Sequence, residues 1–336
     1  MMVHKCTLVM SFLMLGGFAV SQSVATSPAG RISVAELIAS DGAAGNDLGM
    51  AVAMSGNTIV VGENCAEISC IQPYAGVVYV YQTQGNWTNM TQTAELTPSD
   101  GYVGDSFGES VAIYGNAIVV GSLNKAYVFV SADGTWKNMT ETAQLGDGVS
   151  DDYFGNAVAI SNGTIVVGAP GATINGNQSQ GAAYVFVEPQ TGWATTSVPN
   201  AQLLASDGTF LDLFGISVGI SGNTIAVGAP FHQDQAGPGE AYVFTKPSTG
   251  WVSGTETAIL TRSPQGPYDE FGLSIAISKN TIVVGAPQAV GVNNGQGTVD
   301  VFVEPTGGWV NGTETAELVP PFFDTGVGSQ LQSRGP

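Results

Sequence analysis

The feature that most constrains this chain is an internal repeat. Self-similarity at a period of tens of residues points to stacked units, none of which can bury its apolar surface alone. Five apolar-glycine pairs align: Leu48-Gly49, Phe107-Gly108, Phe154-Gly155, Phe214-Gly215 and Phe271-Gly272. A second glycine follows each pair at a constant offset, at Gly62, Gly121, Gly168, Gly228 and Gly285. It ends a β-branched run every time: TIVVG, AIVVG, TIVVG, TIAVG and TIVVG. A third apolar run begins at Val77, Ala126, Ala183, Ala241 and Val299. One tryptophan then follows per unit (Trp87, Trp136, Trp193, Trp251, Trp309), and a short run closes each at Ala94, Ala143, Ala201, Ala258 and Ala316.

Val, Ile, Tyr, Phe and Thr fill these runs, as half-buried pleated strands prefer. Gly and Asn separate the first two runs, at Ser55-Gly56-Asn57, Tyr114-Gly115-Asn116, Ser161-Asn162-Gly163, Ser221-Gly222-Asn223 and Lys279-Asn280. Those residues tolerate the positive φ of tight hairpins. No helical period of useful length interrupts the pattern. The expected fold is all-β: a β-propeller of four-stranded antiparallel blades with five full repeats over residues 32–319. Residues 320–336 form a non-repetitive tail.

The Phe-Gly steps, with Val-Gly-Ala-Pro at Val167–Pro170, Val227–Pro230 and Val284–Pro287, resemble FG-GAP repeats. These are the blades of the integrin α-subunit propeller and of many secreted bacterial proteins. The resemblance runs from about Glu36 to Val319 and implies a propeller, usually seven-bladed, used for extracellular recognition or adhesion. This chain departs from that pattern in two ways. It has five full units, and a sixth start at Glu317-Leu318-Val319 dissolves into Pro320-Pro321. Glu36-Leu37-Ile38 supplies an extra outer strand that could complete the last blade, but the Glu317 run competes for the same slot. A closed five-bladed ring, an open arc and part of a larger propeller all stay open. The family's calcium site, an EF-hand-like loop between the first two strands, is also not evident. Here that connection is a tight turn with too few oxygens, so no cofactor is expected and calcium is not carried over.

The N-terminus reads as an export signal over residues 1–25: Lys5, an apolar run from Leu8 to Val20, then small residues. No later segment has the ~18 apolar residues of a membrane helix. The chain is therefore expected outside the cell or in a periplasm, with no transmembrane segment. Cys6 precedes the apolar run and is lost on cleavage. Cys65 and Cys70 then form a close, even pair, read as a disulfide. The 8 basic residues stand against 27 acids, a net charge of −19, which excludes phosphate-binding nucleic-acid partners. Six Asn-x-Ser/Thr sequons, at Asn86, Asn89, Asn138, Asn162, Asn177 and Asn311, fall among turn and strand residues.

Acids cluster ahead of the Phe-Gly steps. Asp41, Asp105, Asp152 and Asp212 are the alternative calcium ligands; the weightier reading makes them turn-builders that cap their own backbone. The loops between second and third strands differ from unit to unit, and in a propeller they share a face with the acidic connections. Variable loops on a rigid scaffold are where recognition sits. A loose ligand-binding patch is Tyr74, Asn175, Phe231, His232, Gln233 and Asp234. No Gly-Lys-Ser/Thr or His-Glu-x-x-His motif occurs, and the only histidines are His4 and His232. The expected function is a secreted, non-enzymatic recognition or adhesion module that binds an extracellular protein or glycan. The alternatives are a structural surface module without a ligand site, and a hydrolase.

Overall fold

The computed structural model describes residues 35–42, 46–63, 76–102, 104–232, 237–289 and 297–319. Among them are strands and turns but no helix, hence none long and apolar enough to cross a membrane. Five sheets follow one another, one per repeat, each built on four antiparallel strands; the third and fourth gain a short parallel fifth strand from the next repeat, Gly254–Thr255 and Gly312–Thr313. The first holds Leu48–Ser55, Thr58–Glu63, Val77–Gln82 and Ala94–Leu96. The second holds Ser110–Tyr114, Ala117–Ser122, Lys125–Val130 and Ala143–Leu145. The third holds Ala157–Ser161, Thr164–Ala169, Ala182–Val187 and Ala201–Leu204. The fourth holds Ser217–Ser221, Thr224–Ala229, Glu240–Thr245 and Ala258–Thr261. The fifth holds Ser274–Ser278, Thr281–Ala286, Thr298–Val303 and Ala316–Leu318.

Successive sheets stack with their first strands side by side, from the first sheet to the fifth. The repeated glycines set that spacing. A Cβ on Gly62, Gly121, Gly168 or Gly228 would stand 1.9–2.1 Å from the carbonyl oxygen of Gly108, Gly155, Gly215 or Gly272 in the next sheet. The second glycine of one repeat thus meets the Phe-Gly glycine of the following one. Gly285 of the fifth sheet meets only Ser274 of its own sheet. The connection into each first strand also repeats its backbone: Asp47, Ser106, Tyr153, Leu213 and Glu270 all have φ of 50–58°, and the glycine two residues on has φ of 95–104°.

A second tie holds neighbouring sheets at their outer edges. The N–H of Glu36, Glu95, Gln144, Gln202 or Ile259 donates to the side-chain oxygen of Asn89, Asn138, Thr195, Ser253 or Asn311 of the next repeat, at 2.8–3.1 Å. Three sequon asparagines therefore serve as sheet-to-sheet clasps. The N–H of Ser40, Ser99, Ser206 and Ser263 similarly donates to Gln92, Glu141, Glu256 and Glu314. By this clasp Leu37–Ile38 lies parallel to Met90–Thr91, as Leu203–Leu204 lies along Gly254–Thr255. The N-terminal strand thus holds the fourth-strand place of a sheet preceding the first. The competition for the last sheet goes to the C-terminal run, since Ala316–Leu318 pairs with Val299–Val301.

The core lies between sheets. Phe107, Phe154, Phe214 and Phe271 are fully buried and meet third-strand rings edge-on or tilted, at centroid distances of 5.3–6.1 Å. Trp136, Trp193, Trp251 and Trp309 are buried in the same clusters, so the periodic aromatics are packing residues. Among the described residues no comparable packing joins the fifth sheet to the first. The burial pattern agrees. Thr164–Ala169, with neighbours on both faces, is buried at all six positions, whereas the identical sequence Thr281–Ala286 alternates buried and half-buried. Val299 and Leu318 are 37% and 49% exposed, while Val78 and Leu96 at the matching positions are fully buried.

Candidate functional site

Each sheet brings three segments to one edge: the acidic connection before its Phe-Gly step, the end of its second strand and the start of its third. Backbone bonds bind them together. The N–H groups of Leu123, Gly171, Phe231 and Gln288 donate to the carbonyls of Asp105, Asp152, Asp212 and Asp269. The carboxylates of three of these acids fold back on their own turns, accepting from Tyr102, Thr209 and Gly266 N–H at 2.6–2.7 Å. Asp152 accepts from Phe154 N–H at 3.1 Å and is itself buried. Asp41 accepts from the Tyr79 hydroxyl at 2.9 Å. Asp41, Asp105, Asp152 and Asp212 therefore lie in four different connections, each engaged with its own surroundings. Of the loose patch, Asn175 is exposed with φ of 52°, Phe231 is half-buried, and His232 is buried. Tyr74, Gln233 and Asp234 lie outside the described residues, as do Cys65 and Cys70.

The same edge meets a different charge problem in each repeat. In the second, Lys125 opens the third strand and pairs with Asp100, which also accepts from the Tyr127 hydroxyl at 2.9 Å. Burial works against the charge, but these bonds hold the Asp100 carboxyl below the usual carboxylate range. In the fifth, Asp300 replaces the third-strand tyrosine, Pro264 stands where the facing acid does, and Arg262 faces Asp300 instead. The Arg262 guanidinium is buried and reaches Asp269 and Glu317 at 2.9 Å and Asp300 at 3.5 Å. In the third, Asp152 is pushed up to about 7, first by burial and then by the neighbouring Asp147 carboxyl.

The fourth repeat is different. Asp207 keeps the tyrosine bond, accepting from the Tyr242 hydroxyl at 2.9 Å, but Glu240 stands where Lys125 stands in the second. His232 lies between these acids. Its Nδ1 is 2.9 Å from Asp212 Oδ2, and its Nε2 is 3.8 Å from Asp207 Oδ2 and 3.9 Å from Glu240 Oε2. Burial opposes charging of the imidazole, but the Asp212 bond and the surrounding carboxylates raise its pKa above the ordinary histidine value. Burial pushes the Glu240 carboxyl up, against the pull of His232.

Sequence reasoning singled out His232, as part of a loose loop patch, and Asp212, as one of the recurring acids, without bringing the two together. It missed Glu240, Arg262 and Asp300. The signal was there in the aligned repeats: an acid in the Lys125 position, and an acid in the tyrosine position of Val-Asp-Val-Phe.

None of the curated proteins compared matches the chain. A family model for the FG-GAP repeat matches five consecutive segments, residues 32–81, 90–132, 140–186, 198–244 and 255–302. Each matched segment spans the first three strands of one sheet. With five such segments covering most of its length, the chain belongs to the FG-GAP repeat family.

Proposed function

We propose that this chain is an exported, non-enzymatic recognition module that binds an extracellular protein or glycan through the edge carrying the acidic connections and the second-to-third-strand loops. One observation carries the reading: these two sets of segments are tied together along one edge of consecutive sheets, while the loops differ in sequence from repeat to repeat. A rigid scaffold with a variable edge is the usual basis of recognition. The family's propeller-type modules are typically protein-interaction modules, which points the same way. The only described histidine has carboxylates, not a nucleophile, facing its free nitrogen, which favours binding over hydrolysis. The net charge of −19 suits a basic partner or one bridged by cations.

The test uses the mature chain on arrays of extracellular-matrix proteins and glycans. A variant replaces the loop 170–181 by the two-residue turn Leu123-Asn124 of the second repeat. Retained thermal stability with lost binding is expected, along with weaker binding as salt rises from about 50 to about 500 mM. Equal binding by both proteins would remove the loop edge as the recognition surface.

A further inference from the structure

We propose that Asp207, His232 and Glu240 form a binding site for a divalent metal ion of the zinc type, with Asp212 orienting the histidine. The three ligand atoms, Asp207 Oδ2, His232 Nε2 and Glu240 Oε2, all lie within 4.8 Å of one another. Zinc bonds to nitrogen and oxygen are about 2.0–2.2 Å long, so tetrahedral ligands stand roughly 3.4 Å apart. The Nε2 separations of 3.8 and 3.9 Å need only a few tenths of an ångström of closure. They are too long for hydrogen bonds. A protonated Nε2 paired directly with a carboxylate would sit at about 2.8 Å. The spacing fits an ion between the groups better than a proton.

The surrounding bonds prepare the imidazole for this role. Asp212 accepts from Thr209 N–H and Thr209 Oγ1–H at 2.6 and 2.7 Å, so its carboxylate acts as an acceptor. The proton between Asp212 and His232 then belongs to Nδ1, and Nε2 is the nitrogen left to face the two acids. A carboxylate on the far nitrogen is the usual partner that orients a metal-bound imidazole.

Charge supplies an independent argument. Glu240 is 8% exposed, and its Oε2 has no hydrogen-bond partner among the described residues. An unpaired buried carboxylate oxygen is costly. The second and fifth repeats solve the same problem with Lys125 and Arg262. The fourth has three carboxylates around one imidazole and no Lys or Arg in an ion pair with them among the described residues. A divalent cation supplies the missing charge. The Asp207 side chain is 39% exposed, which gives the ion a way in and leaves a coordination position for water. Mixed imidazole and carboxylate ligands select a borderline metal over calcium, which prefers oxygen alone. This inference stands independently of partner binding.

The experiment uses the full mature chain without a histidine tag, stripped with EDTA and dialysed. Zinc is titrated by calorimetry, and cobalt is followed by its visible absorption. One equivalent of zinc, a raised melting temperature and a cobalt band are expected. Glu240→Lys, which copies the second repeat, should fold, melt at or above the stripped wild type, and bind zinc roughly 100-fold more weakly or worse. Asp212→Asn should weaken binding by about 10- to 100-fold. The Glu240→Lys variant keeps every cysteine, so a difference between the two chains isolates this site. Equal zinc binding by wild type and Glu240→Lys, no zinc binding by the wild type, or calcium binding without zinc binding would each overturn the proposal.

Discussion

The Phe-Gly glycine and the second glycine of its repeat are separated by a hairpin in sequence, yet in the first four repeats the second glycine meets the Phe-Gly glycine of the next one. Gly168→Ala would place a methyl 1.9 Å from the Gly215 carbonyl, so two sheets must part. Gly285→Ala meets the Ser274 hydroxyl at 2.3 Å, and a hydroxyl can rotate away. Overpacking of this kind costs roughly 1–3 kcal/mol or more. Denaturant midpoints should show that loss for Gly168→Ala and under about 1 kcal/mol for Gly285→Ala. Asp152 gives the pH dependence. Its folded pKa, about 7, lies above the ordinary aspartate value of 3.8, so the folded state holds a proton that the unfolded chain releases. The stability it contributes is complete below about pH 4 and lost as pH rises to about 7. Asp152→Asn keeps an acceptor for Phe154 N–H. Denaturant titrations from about pH 4 to about pH 8 should show the wild type losing stability relative to this variant across that window.

At the level of the element, Arg262 is the clearest replacement of one solution by another. It follows the fourth strand of the fourth sheet and holds acids of the fifth: Asp269 in the connection, Asp300 on the third strand and Glu317 on the fourth. Removing it leaves Asp269 and Asp300 buried without a counter-charge. A stranded buried charge costs about 3–5 kcal/mol. Arg262→Met should lose that much in urea unfolding, and Asp300→Asn added to it should recover part of the loss. Glu317 is 34% exposed at its side chain, and Glu317→Ala should cost below about 1 kcal/mol. Equal losses for Arg262→Met and Glu317→Ala would show that the ion cluster does not join the two sheets.

Across the whole molecule, stability follows position in the stack. In repeat architectures each unit is held by its own folding and by its immediate neighbours. The third and fourth sheets have neighbours on both faces, and the fifth has one among the described residues. Thr164–Ala169 and Thr281–Ala286 share one six-residue sequence and the same second place in the sheet, between the first and third strands. Their intrinsic amide exchange rates are therefore matched. Hydrogen exchange should be slower by roughly tenfold or more in Thr164–Ala169. Equal protection would mean that the sheets unfold as a single unit and that the open face of the fifth sheet carries no penalty.

The sequence by itself determined the five units, their four strands, the hairpin turns and the aromatic core. Each of these rests on local chemistry that recurs: β-branched runs, turns of Gly and Asn, one Phe-Gly or Leu-Gly and one Trp per repeat. It also exposed the competition between Glu36-Leu37-Ile38 and Glu317-Leu318-Val319. Only the tertiary structure assigned those two strands, because their near-identical sequences carry no record of which neighbour they meet. Only the tertiary structure distinguished TIVVGA buried on both faces from TIVVGA buried on one. The site in the fourth repeat was divided in the same way. His232 and Asp212 stood out as residue types, but Glu240 is an ordinary first residue of a strand until the sheet places its carboxylate against the imidazole. Local propensity is written in a few adjacent residues, whereas burial and charge compensation depend on atoms that the chain brings together from distant positions.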